Sequence, residues 1–125
     1  MSLRMKTIVV VDDEEITLKT AEFILKQDGY EVVRCLSGMS CLEYLKYQVP
    51  DLILLDIEMP IMSGIQTLEI IRSNEPFKNI PVMFLTANSD TETVALASSL
   101  GVIDYVIKPF MPQELLDRVR KILRF

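Results

Sequence analysis

The chain contains no histidine, and this absence excludes two classes of function. Without histidine, the chain alone cannot perform histidine general acid–base catalysis or bind a metal ion through imidazole. Any chemistry must then come from carboxylates, lysine, hydroxyl groups or a bound ion. Only two cysteines are present, Cys35 and Cys41, and their spacing fits no zinc-binding pattern. We expect both to be small, buried or half-buried thiols.

A basic surface and a long apolar segment are also missing. The 125 residues carry a net charge of −5, which argues against direct nucleic-acid binding by this domain. No apolar run approaches the roughly 20 residues of a membrane span. The N-terminus, MSLRMK, is too short for a targeting segment, and Met5 is an alternative start that would make residues 1–4 an addition to the natural chain. We expect a single domain over residues 1–125 in the reducing cytoplasm.

What the chain does contain is five apolar runs rich in β-branched residues. Continuous runs of this kind are typical of strands that are covered on both faces of a parallel sheet. Helix-like segments lie between and after them, so the spacing predicts right-handed βαβ units and one doubly wound α/β sheet. The predicted strands are 7–13, 30–35, 51–56, 81–87 and 104–109, and the helices are about 14–28, 38–46, from 64, 91–100 and from 112.

The predicted helices differ in the clarity of their apolar faces. The first places Thr17, Thr20, Ala21, Ile24 and Asp28 on one face, which is only weakly apolar. The fifth has a wide apolar stripe. Asp90 is the expected N-cap of the fourth helix. The inward positions expected in the second, third and fifth helices are Leu42, Leu45, Leu68, Ile71, Leu115, Leu116, Val119, Ile122 and Leu123.

Charged and hydroxyl side chains collect where the predicted strands end. Ligands of open parallel sheets bind beyond the carboxyl ends of the strands, so these side chains should meet at one edge. Three carboxylates packed together repel unless a cation lies among them, and oxygen ligands alone select magnesium before zinc. With a lysine and a hydroxyl they form a phosphoryl-binding site, in which one carboxylate could be the nucleophile. The residues are Asp12, Asp13, Asp56, Thr86 and Lys108.

At these positions the chain resembles the receiver domains of two-component response regulators. Four short motifs carry the resemblance: DD at 12–13, D-x-x-M-P-x-x-x-G at 56–64, T-A at 86–87 and Y-x-x-K-P-F at 105–110. The resemblance implies a flavodoxin-like fold of five helices around a five-stranded parallel sheet of order 2-1-3-4-5. It also implies that a sensor histidine kinase or a histidine phosphotransfer protein donates a phosphoryl group from phosphohistidine.

The resemblance further implies a role for each site residue. Asp56 would accept the phosphoryl group, and Lys108 with Thr86 would bind its oxygens. Magnesium would be held directly by Asp13, Asp56 and the backbone carbonyl of Glu58, and by Asp12 through water. Such a domain would catalyse its own phosphorylation and dephosphorylation without being a conventional enzyme.

The resemblance also implies roles for Tyr105 and Pro109, and the side chains of Glu58 and Asn88 have expected roles as well. The Tyr105 side chain would follow the movement of Thr86, although in isolation Tyr105 reads as an ordinary strand residue. The peptide bond before Pro109 would be cis. Glu58 and Asn88 each follow a site residue by two positions, so their side chains should affect the rate of dephosphorylation.

Three apolar residues near the site each have two interpretations, one of which is contact with a partner. The resemblance implies an output face made of the fourth helix, fifth strand and fifth helix. Leu96 and Ile103 should be exposed there, either as ordinary surface residues or as contacts for an output domain, another partner or a second copy. Ile16, near the acidic site, is either a contact for the phosphoryl donor or part of the buried packing.

Two rival functions remain open from the sequence. A magnesium-dependent aspartyl-phosphate hydrolase usually carries a second aspartate two residues after its nucleophile, where this chain has Glu58. A flavin-binding flavodoxin needs a hydroxyl-rich phosphate loop after the first strand, where the acidic run DDEE would repel phosphate. We assign Asp12 and Asp13 of this run to the site, and Glu14 and Glu15 to ordinary negative charge at a helix N-terminus.

Overall fold

Strands and helices alternate along the whole of the described chain. The computed structural model describes residues 4–87 and 91–123. Five parallel strands form one sheet of order β2-β1-β3-β4-β5, which confirms the predicted flavodoxin-like fold. The elements are β1 Thr7–Val11, α1 Glu15–Gln27, β2 Glu31–Cys35, α2 Gly38–Leu45, β3 Leu52–Leu55, α3 Gly64–Ser73, β4 Val82–Thr86, α4 Thr91–Ser99, β5 Asp104–Ile107 and α5 Pro112–Leu123.

Helices cover the two faces of the sheet, and alternate strand residues contact each side. Ile8 and Val10 of β1 pack with α1 and α5, whereas Val9 and Val11 pack with α2 and α3. Every residue of β1, β3 and β4 is buried, as their continuous apolar runs predict. The same expectation is wrong for β2 and β5, because they are the edges of the sheet and are only partly covered.

The buried face of α1 differs from the predicted one. Leu18, Ala21, Ile24 and Leu25 are buried, while Thr20 points to solvent. Ala21 and Ile24 belong to both faces, so the buried face is rotated from the predicted one by roughly 50° around the helix. The inward residues expected in the other helices are buried or half-buried, and the Asp90 cap lies outside the described residues.

One arginine ties the end of α4 to neighbouring segments. Arg72, on α3, donates hydrogen bonds to the carbonyls of Leu100 at 2.8 Å and Ile80 at 2.9 Å, and to those of Lys78 at 3.2 Å and Gly101 at 3.3 Å. Along residues 92–99 of α4, Ala97 is the one buried side chain. The packing of α4 on the sheet is therefore light, and Arg72 anchors its C-terminal end.

Both cysteines are buried, as the sequence predicts. Burial raises the pKa of the Cys41 thiol to about 12, and burial also raises the pKa of Cys35. Thiols in such surroundings are poor nucleophiles, because the reactive thiolate is disfavoured. None of the helices within 4–87 and 91–123 is long and apolar enough to cross a membrane.

Candidate functional site

The polar residues predicted at the strand ends do meet at one edge of the sheet. Asp12 directly follows β1, Asp56 follows β3, Lys108 follows β5, and Thr86 is the last residue of β4. The ladder of backbone hydrogen bonds extends past the strands, since Asp56 N donates to Val11 O at 2.9 Å and Lys108 N donates to Thr86 O at 2.7 Å. The rigid sheet therefore fixes where each of these side chains begins.

Lys108 lies among three carboxylates. Its Nζ is 2.6 Å from Asp12 Oδ2, 3.5 Å from Glu14 Oε1 and 3.6 Å from Asp56 Oδ2. Burial opposes the charge on Lys108, but its interactions with Asp12, Asp56 and Glu14 raise its pKa above the ordinary value. The lysine therefore keeps its positive charge at the base of the site.

Three aspartates form a cluster that could hold a metal ion. One carboxylate oxygen from each of Asp12, Asp13 and Asp56 lies within 4.8 Å of the others. Asp12 Oδ2 is fully buried and receives no well-aligned hydrogen bond, so the Lys108 ammonium beside it is its one compensation in the described chain. An all-oxygen set with a buried, under-satisfied carboxylate fits a hard divalent cation such as Mg²⁺.

The pKa of Asp56 is strongly raised. Burial and the nearby charge of Asp12 raise its pKa to about 6, although Lys108 and the backbone N–H of Glu58 act in the opposite direction. Asp56 as a whole residue is 4% exposed, and its carboxylate ionises at some energetic cost. A group with a strongly shifted pKa at such a strand end is a candidate for the reacting residue.

The loop after Asp56 depends on a glycine. Gly64 N donates to Ile57 O at 2.7 Å, and a Cβ at Gly64 would overlap the Asp56 carbonyl oxygen and approach Ile57 Cα to 2.8 Å. Only glycine lets α3 begin this close to the strand end. Ser63 and Gln66 then form a capping box that starts the helix.

Ile61, in the middle of this loop, has an unusual backbone conformation. Its φ is 69°, a left-handed value that is costly for a β-branched residue, and its side chain is fully exposed. No side-chain packing in the described chain compensates this strain, although Met62 N donates to Pro60 O at 2.7 Å across the turn that Ile61 occupies.

A pocket beside Thr86 separates α4 from the sheet. Its volume is about 210 Å³, and its lining includes Thr86, Tyr105, Val94, Ala97 and Ile103. Thr86 is buried, whereas Tyr105 is 37% exposed. The pocket therefore joins the strand end of the acidic site to the lightly packed helix α4.

The other predicted residues can now be placed. The peptide bond between Lys108 and Pro109 is cis. The side chain of Glu58 is exposed, and the direction of its carbonyl stays a prediction. Ile16 is 79% exposed, which is inconsistent with buried packing, and its contact with the donor stays a prediction. Asn88 lies outside the described residues.

The interpretation of Glu14 as ordinary helix charge is wrong, because its carboxylate reaches Lys108. Glu14 is the N-cap residue of α1, but its side chain makes no capping hydrogen bond. Its backbone N–H donates instead to Asp12 Oδ1 at 2.9 Å. The clue in the sequence was its position directly after Asp12 and Asp13, at a helix start that faces the same edge of the sheet.

Comparison with known sequences supports the same assignment. The description "Response regulator receiver domain" belongs to the family that matches residues 8–120. The chain is 36% identical over 124 residues to the DNA-binding response regulator MtrA of Mycolicibacterium smegmatis, and this match covers 99% of the chain and 53% of MtrA. It is also 36% identical over 115 residues to the CAI-1 autoinducer sensor kinase/phosphatase CqsS of Vibrio cholerae, and this match covers 91% of the chain and 17% of CqsS.

A solved structure agrees with these sequence matches. The chemotaxis protein CheY4 of Vibrio cholerae superposes with a TM-score of 0.91 at 27% identity, over 96% of this chain and 100% of CheY4. The chain thus spans about half of MtrA and a smaller part of CqsS, while it matches CheY4 over the whole length of that protein. With the motifs, the fold and the site in agreement, the chain belongs to the family of response regulator receiver domains, which act in phosphorylation-activated signalling.

Proposed function

We propose that this domain accepts a phosphoryl group on Asp56 from the phosphohistidine of a sensor histidine kinase or a histidine phosphotransfer protein. The observation that carries the proposal is the environment of Asp56. It is a buried carboxylate whose pKa is raised to about 6, it lies 3.6 Å from Lys108, and it shares a cluster with Asp12 and Asp13.

In the proposed transfer, an Asp56 carboxylate oxygen attacks phosphorus. The new P–O bond forms as the P–N bond of phosphohistidine breaks, and the electron pair of that bond stays on the imidazole nitrogen. With a pKa near 6, Asp56 is mostly ionised at pH 7 and is therefore available as the nucleophile. Lys108 is placed to hold a phosphoryl oxygen, and Thr86 offers a hydroxyl donor at the neighbouring strand end.

The same proposal includes Mg²⁺ as the cofactor. Asp13, Asp56 and the Glu58 carbonyl would bind it directly, and Asp12 would bind it through water. The ion would neutralise negative charge at the acceptor during transfer. The clustered oxygens and the under-satisfied Asp12 carboxylate support this assignment, since each gains a compensating charge.

The pocket beside Thr86 supports a switch that follows phosphorylation. We expect a phosphoryl group to draw Thr86 toward Asp56 and Tyr105 to move into the space beneath α4. A volume of about 210 Å³ suits an aromatic ring, since a protein cavity of about 150 Å³ can hold benzene. The light packing of α4 along residues 92–99 would let it respond.

The proposed output surface comprises α4, β5 and α5. Leu96 and Ile103 are 45% and 54% exposed there, as expected from the sequence. An output domain, a separate partner or a second copy would bind this face after phosphorylation. The phosphoryl donor would bind near the start of α1, where Ile16 is exposed.

The chain itself is proposed as a single receiver domain over residues 1–125 that works in the cytoplasm. It would catalyse its own phosphorylation and dephosphorylation and would not turn over other substrates. The side chains of Glu58 and Asn88 would affect the attack of water on the phosphorylated Asp56. Half-lives of the phosphorylated protein in Glu58→Ala and Asn88→Ala that equal the parent value would contradict this last assignment.

The acceptor assignment is tested by phosphorylation with acetyl phosphate and Mg²⁺. The parent should gain one phosphoryl group by intact mass, and hydroxylamine should remove it, because an acyl phosphate is labile to that nucleophile. Asp56→Asn should gain none. Asp51→Asn is the matched control, since Asp51 and Asp56 flank the same strand, and it should be labelled like the parent. Full labelling of Asp56→Asn would overturn the proposal, and rapid turnover of simple phosphate esters would favour a hydrolase.

A further inference from the structure

The surroundings of Lys108 raise a question about anion binding. An ammonium group has three N–H donors, and Lys108 has three carboxylates within 3.6 Å: Asp12, Glu14 and Asp56. Three protein carboxylates thus surround the ammonium before any phosphoryl group arrives. A phosphoryl oxygen that approaches Lys108 has to share the ammonium with them or displace one of them.

The three carboxylates differ in how easily they can leave. The side chains of Asp12 and Asp56 are 0% and 6% exposed, whereas that of Glu14 is 66% exposed. A buried acid would lose its charged partner without gaining water, but Glu14 can turn into solvent at little cost. Glu14 is therefore the contact that an incoming anion displaces.

Nothing else among the described residues holds the Glu14 side chain in place. It occupies the N-cap position of α1 without capping the helix, and its contact with Lys108 is the one ion pair it forms there. Glu14 also lines a groove, together with Ala87 and Lys108, that opens to solvent beside the start of α1. An anion that approaches Lys108 from this groove would meet the Glu14 carboxylate.

We propose that Glu14 competes with the phosphoryl group for Lys108 and thereby sets the affinity of the acceptor site for phosphoryl-like anions. This inference rests on the function proposed above and deepens it. Glu14 is a positioning residue, because it acts through Lys108 and not on the reacting atoms. Removing the Glu14 carboxylate should open one side of Lys108 to the anion and should remove one negative charge beside the site.

The inference is tested with beryllofluoride, an anion that mimics a bound phosphoryl group, at saturating Mg²⁺. Glu14→Gln and Glu14→Ala should bind it about two- to fivefold more tightly than the parent, as expected when an exposed ion pair no longer competes. They should also reach half of their maximal phosphorylation rate at a lower acetyl phosphate concentration. Binding can be followed by ¹⁹F NMR, with the Mg²⁺ affinity of each variant measured separately.

Glu15→Gln is the matched control. Glu15 is the next residue along the chain and carries the same charge, but it pairs with Lys19 at 3.9 Å instead of Lys108. Its beryllofluoride affinity should equal that of the parent. Glu14→Asp keeps the charge on a side chain too short to reach Lys108 at the same distance, so it should also bind more tightly. The thermal midpoints of all these variants should stay close to that of the parent.

Each result decides the inference. If Glu14→Gln binds beryllofluoride no better than Glu15→Gln, Glu14 does not compete for Lys108, and the proposed function is untouched. If Glu14→Asp binds like the parent while Glu14→Gln binds tightly, the effect comes from charge at a distance and the competition is refuted. If the parent neither binds beryllofluoride nor becomes phosphorylated, the proposed function and this inference fall together.

Discussion

Replacing the proposed acceptor by its neutral isostere should stabilise the metal-free protein. Asp56 is buried and its pKa is raised from an ordinary 3.8 to about 6 by burial and by Asp12. Since a tenfold change in proton affinity is worth about 1.4 kcal/mol, the folded state opposes ionisation of Asp56 by about 3 kcal/mol. Asparagine fills the same space without a charge. We therefore expect Asp56→Asn to raise the free energy of unfolding by about 3 kcal/mol at pH 8.

The effect must depend on pH in a defined direction. A group whose pKa is raised by folding binds protons more tightly in the folded state, so its stabilising contribution is complete below pH 3.8 and is lost as the pH rises through about 6. The difference between Asp56→Asn and the parent should therefore be small near pH 4. It should grow between pH 4 and 6, and stay constant above that range.

Two controls separate this cause from a general effect of removing charge. Asp51 lies directly before β3, and Asp56 lies directly after it. Burial acts to raise the pKa of Asp51, but the hydrogen bonds from Thr7 and Arg4 outweigh it, so this pKa is lowered. Asp51→Asn should therefore destabilise the protein. Saturating Mg²⁺ should stabilise the parent and remove most of the advantage of Asp56→Asn, since the ion compensates the same charge.

The assay is urea unfolding followed by circular dichroism, with EDTA or with Mg²⁺, at several pH values. For a domain of this size, about 3 kcal/mol corresponds to a rise of about 10 °C in the thermal midpoint. An Asp56→Asn variant that is no more stable than the parent at pH 8 in EDTA would refute the reasoning, and so would a gain that persists undiminished at pH 4.

Three further predictions concern regions outside the acceptor. Ile61→Asn should stabilise the protein by about 1 kcal/mol in urea unfolding, because asparagine tolerates a φ of 69°. Ile16→Asn, at an exposed helical position, is the control and should not stabilise it. A lower free energy of unfolding in Ile61→Asn would contradict the strain argument. Arg72→Met should destabilise the protein by about 2–3 kcal/mol, since it leaves the carbonyls of Leu100, at the end of α4, and of Ile80, before β4, without their donor. Unchanged stability would show that water replaces the guanidinium. If the output face binds a second copy, beryllofluoride should increase the sedimentation coefficient of the parent but not of Ile103→Asp. If the parent shows no increase, the face would bind a different output partner instead. A pull-down of that partner that Ile103→Asp does not weaken would exclude this second possibility.

The sheet and the acidic cluster were predictable because one rule generates both. Parallel strands covered by helices must be apolar along their length, so β1, β3 and β4 appear in the sequence as continuous runs. The polar residue that ends each run then lies at the carboxyl edge. Asp12 and Asp56 were placed next to each other in this way, without any knowledge of their contacts.

The failures have an equally physical origin. The rotation of α1 was missed because Thr17 and Thr20 matched the helical period almost as well as Leu18 and Leu25 did. The exposure of β2 and β5 depends on which strands lie at the edges, and the apolar pattern of a strand does not contain that information. In both cases the local pattern was ambiguous and tertiary packing decided.

Glu14 was missed for a different reason, and the reason bears on how the site works. A position at a strand end predicts which acids belong to the site, but Lys108 also pairs with a carboxylate from the start of α1. The described site contains four acids and one lysine, so it is under-compensated in positive charge. Mg²⁺ would relieve the acids, and a phosphoryl group would replace Glu14 at Lys108. Burial and the charge of Asp12 raise the pKa of Asp56, and in the proposed function each binding event would relieve part of this cost.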